Sequence, residues 1–184
     1  MKLGRLIARI VIGGLFIGHG TQKWFGWFGG PGLEGATGMM DSLGLKPARP
    51  NAIAASASET VGGAMILTGA LTPVAAGTLI ATMITAIRTV HLKNGPWAAG
   101  GGYEFNLTLI AGLLALVDGG PGELSVDSAL GIHDTGHGWA LAALAAGAAG
   151  SALATEAGKR ADGGGASDAR QAAEVTGSPA PASA

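Results

Sequence analysis

The chain has no cysteine, a single tyrosine and few charged residues, with 11 Lys and Arg and 12 Asp and Glu among 184 residues. Without cysteine it cannot form disulfides, thiolate-bound metal centres or Cys-ligated iron–sulfur clusters. A net charge of −1 and the lack of a basic stripe argue against nucleic acid as a partner. The scarcity of charge also excludes an ordinary soluble helical bundle, in which each helix needs a polar outer face.

What is present is a series of apolar runs separated by Gly- and Pro-rich segments. The runs are apolar all round, and a chain of this length cannot bury several such helices in a core of its own. We therefore expect an all-α integral membrane protein in contact with the lipid bilayer. The predicted transmembrane segments are 6–28, 51–71, 73–91 and 103–117. The short connection between the second and third spans makes them antiparallel neighbours. With all four spans alternating in direction, we expect a transmembrane antiparallel four-helix bundle over residues 1–128.

The first apolar run has the charge pattern of a secretory signal, because Lys2, Arg5 and Arg9 precede or begin it. No small-residue cleavage site follows, so we expect the run to remain as the first membrane span. Between the first two spans, residues 29–50 contain spaced Leu and Met residues. This pattern favours a short amphipathic helix lying in the membrane interface.

The C-terminal third differs in composition from the rest. Residues 138–153 form a fifth apolar run of mostly Ala and Gly, which predicts a further but marginal transmembrane helix within 129–156. From 157 to 184 the composition predicts a disordered tail. Pairs of small residues at helix-packing spacing, such as Gly14 and Gly18, let helices approach closely and are compatible with a homo-oligomer.

The polar residues of the apolar runs concentrate at one predicted membrane face. If the four spans alternate in direction, the ends of the first and third meet the starts of the second and fourth. An ionisable group facing hydrocarbon costs several kcal/mol, so we expect these side chains to point inward, with at least one contact between a carboxylate and a cation. The candidate pocket residues are His19, Gln22, Lys23, Glu59, Arg88, His91, Tyr103, Glu104 and Asn106.

Two interpretations of this cluster stay open. It can form a pocket that binds a small molecule or cofactor, or it can be a set of internal ion pairs and interfacial anchors that only holds the helices together. His19 and His91 lack the spacing of a haem or metal motif. His133 and His137 lie in a Gly-rich segment without further ligands. We therefore expect neither haem nor a bound metal.

Several ordered segments resemble the DoxX family of small membrane proteins. They are HGTQK at 19–23, WFGGPG at 27–32, ETVGG at 59–63, VHLKNG at 90–95, GGYEFN at 101–106 and the stretch 119–127. The resemblance covers about 6–127 and implies a four-helix transmembrane bundle. The fifth apolar run and the tail depart from the family pattern.

The resemblance implies a redox-associated membrane subunit in the cell membrane, with a quinone as the suggested cofactor and oxidoreductase subunits as the suggested partners. His19 and Lys23 would donate hydrogen bonds to a quinone head group, and Glu59 or Glu104 would exchange protons. No residue of this chain carries electrons by itself, so we do not expect it to catalyse a redox reaction alone. The alternative is a non-catalytic scaffold or assembly factor. A small-solute permease is disfavoured, because no span is broken within the membrane.

Overall fold

The structure, a computed structural model, describes residues 3–176, with side chains described to residue 156. Within that range the chain is all-α and contains no strand, as the sequence predicts. The helices are α1 (Leu3–Phe25), α2 (Gly32–Ser42), α3 (Ala48–Thr68), α4 (Thr72–Ala86), α5 (Glu104–Gly119), α6 (Val126–Ala129) and α7 (His137–Thr176). A π-helical turn, Ile87–His91, continues α4 and leads into the loop before α5.

Helices α1 and α3 pack antiparallel through glycines. A Cβ atom added at Gly13 would lie 2.6 Å from the carbonyl oxygen of Gly63, and one added at Gly20 would lie 2.9 Å from that of Ser56. Real side chains cannot approach a backbone so closely, so this interface requires glycine at both positions. Lys23 follows Gly20 by almost one helical turn and is therefore held against α3.

A short turn joins α3 to α4 and makes them antiparallel. Gly69 ends α3 in the left-handed conformation, with φ 66°, and Leu71 precedes α4 with φ 44°. Pro73 lies in the first turn of α4, where its missing N–H has no helical partner to lose. The turn lies where the sequence predicts it.

Helix α7 packs along α4 and runs parallel to it. Gly147 lies against Ile80 and the carbonyl oxygen of Gly77, and Thr85 Oγ1 donates a hydrogen bond to Ser151 Oγ at 3.0 Å. The predicted fifth helix is therefore present as an integral part of the fold. It begins at His137, within one residue of the predicted apolar run.

Three of the described helices are long and apolar enough to cross a membrane. They are Leu3–Phe25, Thr72–Asn94 and His137–Glu156. Helices α3 and α5 occupy the positions of the predicted spans 51–71 and 103–117, but their crossing of the membrane stays a prediction. Helix α5 has 16 residues, or about 24 Å at ~1.5 Å per residue, against about 30 Å of bilayer hydrocarbon. The transmembrane four-helix bundle likewise stays a prediction.

The structure differs from the sequence expectation at two helix ends. The first span was expected to reach residue 28, but α1 ends at Phe25 because Gly26 takes the left-handed conformation, with φ 73°. Disorder was expected from residue 157, whereas the backbone of α7 is helical to Thr176. Residues 177–184 lie outside the described part of the chain, and the division of the chain into domains stays a prediction.

The buried apolar residues form two clusters. The larger joins α1, α3, α4, α5 and α7 around Phe16, Ile66, Leu79 and Leu113. The smaller joins α2, the segment after it and the start of α3 around Met40 and Leu45. Helix α2, predicted as a short amphipathic element, is therefore packed on α3 through a core of its own. This arrangement leaves a cleft beside α2.

Candidate functional site

A cleft of about 330 Å³ lies among α2, α3, α4 and α7. Its floor is formed by α3 and α4, one wall by Met39 and Met40 of α2, and the opposite wall by Gly150 and Ala154 of α7. Most of the lining side chains are aliphatic or are small alanines and glycines. A volume of this order lies at the lower end of the range for small-molecule sites.

The polar end of the cleft is an ion pair between α1 and α3. Lys23 Nζ donates a hydrogen bond to Glu59 Oε2 at 2.5 Å, and the side chain of Glu59 is only 3% exposed. The expected contact between a carboxylate and a cation is thus present. The glycine contacts between α1 and α3 bring the two residues together, and pairing offsets much of the cost of burying their charges. Lys23 keeps 19% of its side-chain surface exposed.

A stripe of threonine hydroxyls runs along the face of α4 that lines the cleft. Thr78, Thr82, Thr85 and Thr89 are spaced by four, three and four residues, which places them on one helical face. Thr89 Oγ1 donates to the carbonyl of Thr85 at 2.8 Å, a bond that uses the hydroxyl proton and leaves the oxygen as an acceptor. The stripe adds acceptor oxygens to an otherwise apolar wall.

The π-helical turn lies at the end of this stripe. Thr89 and Val90, both in the turn, line the cleft. A π-helical turn inserts an extra residue into the helix and widens it locally, and such turns are frequent at functional sites. The end of α4 is therefore reshaped where it borders the cleft.

Three of the predicted pocket residues lie at the two ends of the loop between α4 and α5. They are His91, at the end of the π-helical turn, and Tyr103 and Glu104, at the start of α5. His91 Nδ1 lies 2.7 Å from the carbonyl oxygen of Gly101, and Glu104 Oε1 accepts a hydrogen bond from the backbone N–H of Ala98 at 2.7 Å. The Tyr103 side chain is half-buried. These contacts fold the loop back on itself.

The remaining predicted residues lie elsewhere. Asn106 is buried, with Nδ2 3.4 Å from Met83 Sδ, and His19 packs edge-on against Phe105. Arg88 is exposed, and Gln22 lies against Gly30. Of the nine predicted residues, Lys23 and Glu59 line the cleft. That the nine act together at one ligand site stays a prediction.

A second buried polar junction was missed from the sequence, where Arg9 was treated only as part of the basic N-terminus. Arg9 is 3% exposed and donates hydrogen bonds to the carbonyls of Leu67 at 2.8 Å, Pro121 at 2.9 Å and Leu124 at 2.7 Å. It therefore ties the start of α1 to the end of α3 and to the segment after α5. The sequence did contain a signal for this contact: an arginine in the second turn of an apolar helix is expected to face the protein interior and to find partners there.

Asp127 is the acidic partner at this junction. Its carboxylate attracts Arg9 electrostatically and accepts hydrogen bonds from the backbone N–H groups of Leu71 at 2.7 Å and Thr72 at 3.0 Å. The Thr72 hydroxyl donates to it at 2.7 Å. Asp127 thus holds the turn between α3 and α4 in its left-handed conformation. The junction lies at the end of α1 opposite to Lys23, fourteen residues or about 21 Å away.

Comparison with known proteins gives consistent results. The family model described as DoxX matches residues 4–92, which include α1 to α4. "Putative oxidoreductase CatD" of Bacillus subtilis is 31% identical over 115 residues, covering 62% of this chain and 79% of the relative. "Uncharacterized membrane protein Rv3486" of Mycobacterium tuberculosis is 30% identical over 132 residues, covering 66% of this chain and 78% of the relative. No solved structure matches the chain.

Proposed function

The chain belongs to the DoxX family of membrane proteins, and on that premise we propose that it is a redox-associated, multi-pass subunit of the cell membrane whose cleft binds a quinone. The observation that carries the proposal is the Lys23–Glu59 pair, with its carboxylate buried, at the end of a cleft whose other lining residues are apolar or carry uncharged polar groups. A quinone combines an apolar ring with two carbonyl oxygens, so it needs an apolar slot with a few hydrogen-bonding groups. The cleft supplies both.

Each polar group has a role in this proposal. The Lys23 ammonium would donate a hydrogen bond to a quinone carbonyl oxygen. Glu59, after taking up a proton from water, would pass it to the reduced quinone, with the second proton coming from water directly, and both protons would return by the same routes on reoxidation. Reduction of a quinone takes two electrons and two protons. The chain holds no residue that stores electrons, so a partner oxidoreductase subunit supplies or accepts them. Four membrane-crossing helices in antiparallel order would place the pair near one face, within reach of protons from water.

The test is quinone binding by the purified chain in lipid nanodiscs. We expect wild type to bind, and Glu59→Gln to lower the affinity about tenfold by removing the charged partner of a hydrogen-bonded pair. Glu34→Gln, on the exposed face of α2, should leave the affinity unchanged. Glu59→Gln alone leaves Lys23 without its counter-ion. The double variant Lys23→Met/Glu59→Gln removes both charges, so it shows whether the loss of affinity remains when the cleft carries no unpaired charge. Folded wild type that binds no quinone would overturn the proposal.

One observation favours a scaffold as the second candidate function. Every buried side-chain nitrogen and oxygen of the described residues has a hydrogen-bond partner, so the Lys23–Glu59 pair needs no ligand to be stable. A scaffold or assembly factor predicts that wild type binds no quinone. It also predicts that Lys23→Met/Glu59→Gln still assembles with the same oxidoreductase subunits. If wild type binds quinone and the double variant does not, the scaffold function is excluded.

A further inference from the structure

We propose that a groove between α4 and α7, continuous with the cleft, holds the linear prenyl tail of the same ligand. This inference rests on the proposed function and specifies the ligand further, as a quinone with a long apolar chain. It also gives α7 a part in the site, although α7 lies beyond the residues that the family model matches.

The groove has a volume of about 370 Å³ and begins beside Pro73, at the start of α4. Thr78, Ala81 and Gly150 line both the groove and the cleft, so the two spaces meet at these residues. Because α7 runs parallel to α4, Trp139 borders the groove at the same end as Pro73, away from the cleft. Ser58, the neighbour of Glu59, has its Oγ 3.2 Å from Thr82 Oγ1, so the polar pair lies near the junction of the two spaces. The groove that extends from this junction is lined mostly by apolar residues.

The combined length suits a chain molecule better than a compact one. The lining of the two spaces extends along α4 from Pro73 to Val90, which is about 26 Å at ~1.5 Å per residue. That is close to the thickness of bilayer hydrocarbon, about 30 Å. A ring-sized head group would occupy only the part beside Lys23 and Glu59. From there the groove extends along α4 from Ala81 to Pro73, about 12 Å at ~1.5 Å per residue, and Thr78 is the one polar residue in its lining among the described residues.

The small residues that line the groove are not all explained by helix packing. Ala143 is explained by packing, because it is buried in the core between α4 and α7. Ala142 and Ala146 are different: both are exposed and border the groove. Larger side chains at these two positions would fill the groove without separating α4 from α7. Their small size keeps the groove open.

Charge favours a neutral amphiphile over a phospholipid as the occupant. Among the residues whose side chains are described, the ionic groups that line the cleft are Lys23 and Glu59, and they neutralise each other. A phosphate placed here would meet the Glu59 carboxylate and would have to break its pair with Lys23. A quinone head group carries no charge and accepts hydrogen bonds.

The expected contribution of the tail is modest. A prenyl chain that leaves lipid for the groove gains van der Waals packing but little hydrophobic free energy, because both surroundings are apolar. A variant that blocks the groove should therefore change selectivity for tail length rather than abolish binding. The head-group contacts would be untouched.

The experiment compares Ala146→Leu with Ala145→Leu in nanodiscs of phosphatidylcholine. Both alanines are exposed on α7, but only Ala146 lines the groove. The probes are two quinones with the same head group, one with a single prenyl unit and one with a long polyprenyl chain. We expect Ala146→Leu to weaken binding of the long-chain quinone by about fivefold, through lost packing, and to leave the short-chain quinone unchanged. Ala145→Leu should change neither affinity.

The outcomes separate this inference from the function on which it rests. If wild type binds neither quinone, the proposed function fails. If wild type binds both and Ala146→Leu alters neither affinity, or lowers both equally, the groove does not hold the tail while the quinone site stands. Loss of only a tightly held phospholipid from Ala146→Leu, seen by mass spectrometry, would also overturn the inference. Should Ala146→Leu fail to fold, Ala142→Leu makes the same test nearer Trp139.

Discussion

Arg9 and Lys23 lie towards opposite ends of α1, and each interacts with a carboxylate from another part of the chain. Arg9 is buried and is attracted electrostatically by Asp127, whereas Lys23 is half-buried and forms an ion pair with Glu59. Arg9 is surrounded by backbone carbonyls and by closely packed atoms: a Cβ added at Gly69 would lie 3.0 Å from its Cζ. Lys23 has one hydrogen bond, to Glu59, and borders a cleft. Burial of a charge thus does not by itself mark a ligand site. Lys23 differs from Arg9 in having open space beside it and hydrogen-bonding capacity that the described residues do not use.

The largest effect should come from the Arg9 junction. Arg9→Met would leave four backbone carbonyls without their donor and remove the positive charge that attracts Asp127, and we expect a loss of about 3–5 kcal/mol in the free energy of unfolding. Denaturant unfolding of the protein in detergent measures it. Arg5→Met is the control, because Arg5 is half-buried and makes a single 3.5 Å hydrogen bond to Gly120. Equal losses for the two variants would show that Arg9 is only an interfacial anchor.

The next effect concerns the contact that positions Lys23. Gly20→Val would force α1 away from α3, and we expect it to cost about 2–3 kcal/mol by overpacking. Gly18→Val should cost much less, since a Cβ at Gly18 meets nothing within 4 Å. Melting temperatures give the comparison. The account of the α1–α3 interface would be wrong if both valines were tolerated alike.

A smaller effect is expected at the cleft pair itself. Glu59→Ala should lower the free energy of unfolding by about 1–2 kcal/mol, less than the full cost of breaking a buried pair, because Lys23 is partly exposed and can be hydrated. Glu34→Ala, in an exposed position on α2, should be close to neutral. Thermal unfolding of the two variants side by side measures the difference. A loss from Glu59→Ala as large as that from Arg9→Met would make the two ends of α1 equivalent and remove the contrast.

The smallest effect concerns the hydroxyl that joins α4 to α7. Thr85→Val keeps the shape of the side chain but removes its hydrogen bond to Ser151, and we expect a loss of about 0.6 kcal/mol. Thr108→Val is the control, because the Thr108 hydroxyl bonds only within its own helix. Chemical denaturation resolves a difference of this size only if the two proteins are compared in the same detergent. A gain in stability from Thr85→Val would show that the bond is strained.

The sequence predicts the helices well because their apolar runs and Gly- and Pro-containing breaks are local features. Pro73 and the short turn before it place α4, and the Ala- and Gly-rich run predicts α7. The end of α1 is less predictable, because it depends on the left-handed conformation of Gly26, which composition alone does not reveal.

The site is less predictable than the helices. Alternation of helix direction is enough to bring Lys23 close to Glu59, but the packing of α2 and α7 that creates the cleft depends on tertiary contacts. His91 and Glu104 were assigned to the pocket by their position along the chain, and their side chains are instead used by the adjacent loop. Arg9 was assigned to the N-terminal charge cluster because its partners lie more than fifty residues away.

Binding of a quinone head group in the cleft is tested most directly by photolabelling. The protein in nanodiscs is labelled with a quinone that carries a photoreactive group on its ring. Mass spectrometry then identifies the labelled residues. If the head group binds in the cleft, labels should appear on the lining near Glu59, at Met39 and Met40 of α2 and along Thr82 to Thr89 of α4. Excess unlabelled quinone should suppress these labels. Labels spread over exposed apolar residues such as Ile7, Val61 and Leu141, with no suppression by unlabelled quinone, would contradict binding in the cleft.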